Sequence, residues 1–554
     1  MTQEAEIPRP GLAEALICGL WLAFCARWAW ISEDAFISFV FARNLVEGRG
    51  LVFNPGMDAV DGYSNFLYVL CAAIVIALGL PPWVWVNVFS LAAGLATLFL
   101  VRDLALRHLG ASLTVARLAM LLLAMQPGFF FWGTSGLEVL PQTFLFVAAA
   151  AWLALDDRPG AATKAGLAGL GLGLIRAEGI AWSPVFLALA WGLRRAEGRS
   201  VEPLRRYALV AFPPWLVWYV WRTWYYKSAL PNTVVAKMGF FKQHLVRGLQ
   251  YDLMYPLFEV TPILVLPALW FGRHRLGPAR TAWFALMCLS VPAWAAAVGG
   301  DYMRFHRFLV PVMPVLVLVG AAGLMALEAA RGARLTAAVA LVVTLVGLVP
   351  ATGGTILPAA LLSRLETGSQ GPEGPDAVIR AGRVASSKRS RELYWEARAL
   401  EAFVKPGDVV TTGAIGHNAW FSRARILDMC GLVDREIARR EVKWDPADRA
   451  GHEKCVGPKE LVDRKPDVAH YISFYGHPEP KKRLKDWGDE MRQMFKPSTW
   501  YPDWSAIEAD VEGGRMYLVG LRRAKTDAAA EEGWRRFKQK VMAHDELIAA
   551  GSAP

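Results

Sequence analysis

Charge is scarce in this chain: of 554 residues only 20% are Asp, Glu, Lys or Arg, against 54% that are hydrophobic. Soluble chains carry about a quarter charged residues and break their apolar runs at short intervals, so a wholly soluble globule is excluded. Cysteine is rarer still, six in all, which excludes a scaffold framed by disulfides. No Cys or His spacing suits zinc, no P-loop or nucleotide-sugar motif appears, and no solenoid period repeats. The first apolar run, Gly11–Trp30, has no basic segment before it. It reads as a retained helix and not as a cleaved signal.

Long apolar runs are what the chain has instead. Mean hydropathy is +0.29, and Val84–Val101, Val115–Phe131, Val139–Leu155, Ala208–Trp221, Pro256–Phe271, Ala282–Val298, Phe308–Leu327 and Leu335–Pro350 are nearly free of charge. A helix needs about 20 apolar residues to cross the hydrocarbon, and these runs reach or approach that length. Trp28, Trp30, Trp132, Trp215 and Trp218 near run ends suit an interfacial belt. The fold expected is a polytopic α-helical membrane protein of about 10–12 helices over 1–350, a linker over 351–390, and a C-terminal extracytoplasmic α/β domain over 391–554.

The net charge of +11 does not point to nucleic acid. Arg102 and Arg107, Arg194 to Arg206, Arg273 to Arg280, and Arg331 with Arg334 all fall in short loops between apolar runs. That is the positive-inside pattern, which makes these loops cytoplasmic and the alternate ones external. The external set is 132–138, 222–255 and 299–307. Segment 32–65 joins it if Phe66–Leu80, which is short and closed by Leu80-Pro81-Pro82, does not cross; this is the favoured reading.

After Ala351 the long runs stop. Leu393–Val404 has helical period, Asp408–Gly413, Ile426–Met429, Val468–Ser473 and Met516–Leu521 read as strands, and Glu531–Ile548 as a closing charged helix. Cys430 and Cys455 share this region, but their spacing carries no framework signal and the reading leans against a bond between them.

Polar residues concentrate in the external loops. The densest stretch runs from Glu33 and Asp34, read as standing where the first helix leaves the membrane, through Arg43, Asn44, Asn54, Tyr63 and Asn65. Its aromatic residues suit a sugar-sized pocket, and a carboxylate at such a boundary suits a general base; a solvated helix end is the plain alternative. A second cluster is Gly299-Gly300-Asp301-Tyr302-Met303-Arg304-Phe305-His306-Arg307. Its arginines fit a phosphate through paired charge-assisted hydrogen bonds, or else snorkel to headgroups. Further groups are Asn232 with Lys237, Glu138 after Ser135-Gly136-Leu137, and Arg176 with Glu178. An ionisable pair at membrane depth is a functional candidate or a structural ion pair.

These residues, in this order, resemble a known family. Glu33-Asp34-Ala35-Phe36-Ile37-Ser38, Ala42-Arg43-Asn44-Leu45, Gly50-Leu51-Val52-Phe53-Asn54-Pro55-Gly56, Ser135-Gly136-Leu137-Glu138, Arg176-Ala177-Glu178-Gly179, Pro231-Asn232-Thr233, Gly299-Gly300-Asp301 and His306-Arg307-Phe308-Leu309 are similar to motifs of the GT-C glycosyltransferases. The similarity is narrower to the mycobacterial terminal arabinofuranosyltransferase branch, and continues through Gly413-Ala414-Ile415-Gly416, Ile426-Leu427-Asp428 and Gly431-Leu432-Val433-Asp434. The acidic pair often reads Asp-Asp there, Pro often stands at Ala177, and Tyr often stands where His417 does. No carboxylate or cation is lost by these changes.

The resemblance implies transfer of a sugar, arabinofuranose, from a polyprenyl-phosphate donor to a glycan, glycolipid or glycoprotein acceptor outside a bacterial inner membrane. Asp34, with Glu33 or Glu138 assisting, is the expected catalytic group. Arg304, His306, Arg307 and Lys237 are the expected phosphate cradle. Arg43, Asn44, Asn54, Tyr63, Asn65, Arg176, Glu178, Asn232 and Asp301 are expected to line the substrate site. No metal ligands are assigned, a divalent cation is left open as cofactor, and the lipid bilayer but not nucleic acid is a partner. The competing class is a transporter or flippase, and a third is a membrane sensor. Transporters place their polar residues at the midplane of pseudo-symmetric halves, unlike this one-sided gathering.

Overall fold

The computed structural model describes residues 7–348 except 259, 260 and 304. Beyond them it describes 393, 397, 400, 401, 404–444, 451–456, 460, 461, 464, 466–475, 503–511 and 514–522. Arg304, the expected linker and the expected closing helix lie outside the described residues.

Fifteen α-helices are described before residue 349. They are α1 (Leu12–Arg27), α2 (Glu33–Val46), α3 (Phe66–Ala77), α4 (Pro82–His108), α5 (Leu113–Ala124), α6 (Pro127–Phe131), α7 (Val139–Leu155) and α8 (Ala161–Ile175). After them come α9 (Trp182–Ala196), α10 (Glu202–Tyr226), α11 (Asn232–Lys237), α12 (Phe241–Phe258), α13 (Thr261–Val298), α14 (Met313–Arg331) and α15 (Ala333–Gly347). The protein is a polytopic helical membrane protein. Among the described residues α4, Ala268–Val298 and Arg307–Arg331 are each long and apolar enough to cross alone, and α5 with the helical turn that follows it makes a bent fourth. The run expected over Val115–Phe131 is broken by 63°. Pro127, which opens α6, has no N–H to continue the ladder. In α13 the break falls at Gly277, which takes a positive φ of 74°.

The helix ends sort into two sets. At one end Arg280 donates to Glu197 (2.6 Å) and to the His108 carbonyl (2.5 Å), and Ser112 donates to Glu328 (3.0 Å). The arginine-rich loops therefore gather there. At the other end Asn65 donates to Glu138 (2.8 Å), and Tyr68 donates to the Val86 carbonyl near the start of α4 (3.2 Å). With 12 residues, α3 is about 18 Å long, and it begins where α4 begins. The loops at 32–65 and 132–138 thus meet at the end opposite the arginines.

The C-terminal region is an α/β unit. β1 (Val409–Thr412), α16 (Ile415–Ser422), β2 (Arg425–Asp428), α17 (Arg435–Ala438), β3 (Val468–Tyr475), β4 (Asp503–Val511) and β5 (Gly514–Arg522) form a sheet in the order β2-β1-β3-β5-β4. β1 is parallel to β2 and β3, while β5 is antiparallel to β3 and β4. Four strands fall where alternation places them; β4 does not show in the sequence reading, because charged residues interrupt it.

What docks this unit is α2. Its residues from Ala35 to Asn44 are all buried, with Ser38, Arg43 and Asn44 hydrogen-bonded among them. α3 covers one side and α16 the other. Phe36 lies against His417 (4.2 Å), Phe421 (5.8 Å) and Trp420 (6.2 Å). Glu33 and Asp34 begin α2; they do not end the first helix, which stops at Arg27. A second correction concerns sulfur: Cys430 and Cys455 form a disulfide. The fold brings the loop after β2 against the turn at 451–456, a long-range meeting that a spacing of 25 residues does not reveal.

Candidate functional site

Several residues expected to line a substrate site instead hold the two parts of the protein together. Glu33 accepts the backbone N–H groups of Gly416 and His417, so it caps the first turn of α16. A methyl at Gly416 would meet the Glu33 carbonyl oxygen at 2.4 Å, so the bare backbone is needed for that approach. Arg43 donates to the carbonyls of Trp420 (2.6 Å) and Ala419 (3.1 Å) at the other end of the same helix. Asn54 donates to the Ile426 carbonyl and accepts from its N–H, both at 2.8 Å, extending β2 by one side chain. Asn232 donates to the carbonyls of Gly431 (2.7 Å) and Leu432 (3.0 Å). Asn44 closes its own loop on Val52 (2.8 Å) and Phe53 (3.0 Å). Tyr63 is buried against Phe41 (4.9 Å) and accepts from Tyr226 (3.2 Å). The aromatic side chains of this segment are packing and not a pocket lining.

The remaining charged candidates group at the end opposite the arginine-rich loops. Arg176 lies between Glu138 (2.7 Å) and Glu178 (2.8 Å), and Asn65 fills the second oxygen of Glu138. Asp301 and Arg307 pair at 2.7 Å, with the Nε–H direction missing the carboxylate, so the contact is electrostatic. The Arg307 guanidinium also sits over the rings of Phe308 (5.2 Å) and Trp132 (5.8 Å). Lys237, at the C-terminus of α11, reaches solvent, yet protein surrounds it on several sides. That enclosure, and next the Arg307 guanidinium, pull its pKa below that of free lysine, while Asp301 and Asp34 oppose them.

Asp34 stands in the first turn of α2 and acts electrostatically on Lys237, Arg307 and Tyr302. Among the described residues it takes part in no hydrogen bond or ion pair, whereas Glu33, Glu138, Glu178 and Asp301 all do. The Lys237 ammonium likewise takes part in no hydrogen bond or ion pair among the described residues. A carboxylate and an ammonium thus lie within electrostatic reach of each other, and the Asp301–Arg307 pair is within reach of both.

His306 does not join the expected cradle as a cation. Its ring packs on Tyr251 (4.7 Å) and Tyr255 (5.3 Å), and burial pushes it down to about 3, so it is neutral at physiological pH. Two groups that the sequence reading did not select lie beside these charges. Tyr302 lies near Asp34 and Asp301, and the ring of His452, from the C-terminal region, packs on it at 5.1 Å. No spacing marks His452; only the fold brings it there. Among the described residues no three His, Cys, Asp or Glu side chains group closely enough to hold a metal ion.

Residues 386–526 match a family described as a domain of unknown function (DUF8728). No curated protein matches the chain. Among solved structures, ArnT from Cupriavidus metallidurans bound to undecaprenyl phosphate is similar at 14% identity and a TM-score of 0.50, over 93% of this chain and 98% of that one. The apo state of ArnT is similar at 14% identity and a TM-score of 0.48, over 91% and 97%. The first likeness shows the fold: over the matched length this chain shares the fold of ArnT.

Proposed function

We propose that this protein is a polyprenyl-phosphate-dependent glycosyltransferase of the GT-C type. The observation that carries the reading is the charge cluster in which Asp34 and Lys237, neither of them paired among the described residues, lie within electrostatic reach of the Asp301–Arg307 pair, in a fold shared with a structure bound to undecaprenyl phosphate. The acceptor hydroxyl oxygen attacks the anomeric carbon as the bond from that carbon to the phosphate oxygen breaks. Asp34 takes the hydroxyl proton. The polyprenyl phosphate leaves with its charge, which Arg307 and Lys237 stabilise; Arg304 is retained in the cradle on the sequence reading. Arg176 is engaged by Glu138 and Glu178, so its charge is met within the protein. The arginine-rich end faces the cytoplasm by the positive-inside pattern, so the Asp34–Lys237 site lies outside a bacterial inner membrane. Arabinofuranose as the sugar rests on the motif resemblance, and the acceptor is a cell-envelope glycan, glycolipid or glycoprotein.

A transporter would move a lipid-linked sugar and leave it intact. Purified protein incubated with polyprenyl-phospho-arabinofuranose and an envelope glycan extract is expected to release polyprenyl phosphate. Translocation in vesicles with no release would replace transfer by transport.

A further inference from the structure

Lys237 sits on a six-residue helix too short to hold its own position. Besides the Asp61 carboxylate, which accepts the Asn232 N–H (3.1 Å), what fixes α11 comes from the C-terminal region, in two separate grips. At its start, Asn232 donates to the carbonyls of Gly431 and Leu432, in the loop after β2 (2.7 and 3.0 Å). Towards its end, the Lys454 ammonium donates to the Val235 carbonyl (3.0 Å) and ties it to the Ala438 carbonyl (2.7 Å). Gly451 packs on the Lys237 stem so closely that a methyl there would meet Cε at 3.0 Å.

The second grip is a turn, 451–456, with contacts along most of its length. Glu453 pairs with Arg247 (2.5 Å) on α12, with His244 of the same helix 3.4 Å away, and Val456 donates to the Met429 carbonyl (2.8 Å). Although burial pushes the Glu453 carboxyl up, these partners hold it down at about 2, so the ion pair persists across the physiological range. The Cys430–Cys455 disulfide joins the two grips covalently. The bond therefore closes a clasp around α11.

Resting on the proposed function, we propose that the Cys430–Cys455 disulfide, with Lys454, is a positioning device that holds Lys237 at the donor phosphate, so that donor binding depends on the bond being intact. Reduction by a dithiol delivers two electrons and two protons, yielding two thiols while the dithiol closes to its own disulfide. The clasp then opens, because α11 is left with two independent loops as partners.

The test uses the full chain in nanodiscs with undecaprenyl phosphate as the probe. Reduction with dithiothreitol should weaken binding by roughly tenfold, the scale of one lost charge-assisted contact, and reoxidation should restore it. Lys237→Met should weaken binding to a similar extent, and reduction should then add nothing, since both remove one interaction. Lys454→Met should mimic reduction, and Lys454→Arg should retain binding. Unchanged affinity on reduction overturns the clasp, as does an equal loss in wild type and Lys237→Met, which would mean the bond acts through the fold at large. If oxidised wild type does not bind the probe at all, the functional reading is at fault. Amide exchange over 232–238 then decides the clasp: a rise of about tenfold or more on reduction supports it, and no change overturns it.

Discussion

Asp34→Asn is expected to lower sugar transfer by ~10²–10⁴-fold, the range for loss of a general base, while expression and thermal unfolding stay as in wild type. The chemistry is specific to this carboxylate. Glu33 is occupied in capping α16, Glu138 and Glu178 are occupied by Arg176, and Asp301 by Arg307. Asp34 alone of these five carries no hydrogen bond or ion pair among the described residues, so it has lone pairs free to accept the proton of an acceptor hydroxyl. Asn is isosteric and cannot take that proton. Initial rates under saturating donor separate the outcomes. Near-normal turnover would remove Asp34 from the mechanism. A parallel Glu33→Gln variant should instead loosen the docking of the C-terminal unit, read as a lower unfolding temperature.

Arg307→Ala is expected to weaken undecaprenyl phosphate binding at least roughly tenfold, since a charge-assisted hydrogen bond of this kind contributes about 1.5–3 kcal/mol. Acceptor affinity should change less. A guanidinium has five donors, so pairing with Asp301 leaves others for a phosphate. Arg307→Lys should rescue only in part, because an ammonium cannot make the bidentate contact. Were Arg307 a headgroup anchor, Lys would restore binding fully and Ala would act on stability. The titration of donor lipid against the three proteins distinguishes the two roles.

The sequence makes the membrane helices legible because the hydrocarbon core imposes length and apolarity together. Val84–Val101 becomes the middle of α4, and Phe308–Leu327 leads through α14. α2 is not legible in the same way. Its fourteen residues mix Glu33, Asp34, Ser38, Arg43 and Asn44 with apolar ones and are buried from Ala35 to Asn44, so no amphipathic period separates this short helix from a loop rich in aromatics. The site was half legible for a related reason. Arg43, Asn54 and Asn232 read in the sequence as polar groups near the membrane, and they are buried and committed. Yet a buried Arg or Asn serves a sugar hydroxyl and a backbone carbonyl equally well, so residue type could not tell a ligand from a docked domain. His452 and the clasp at 451–456 carry no spacing signal, because they meet Tyr302 and α11 only through tertiary structure.

The most direct test of the central claim is a structure of the full chain in a lipid nanodisc with undecaprenyl phosphate. The account predicts the phosphate within hydrogen-bond reach of both Arg307 and Lys237, with the Asp34 carboxylate near them and no protein cation drawn onto it. A phosphate bound elsewhere, with Lys237 and Arg307 left as they stand without lipid, would contradict it.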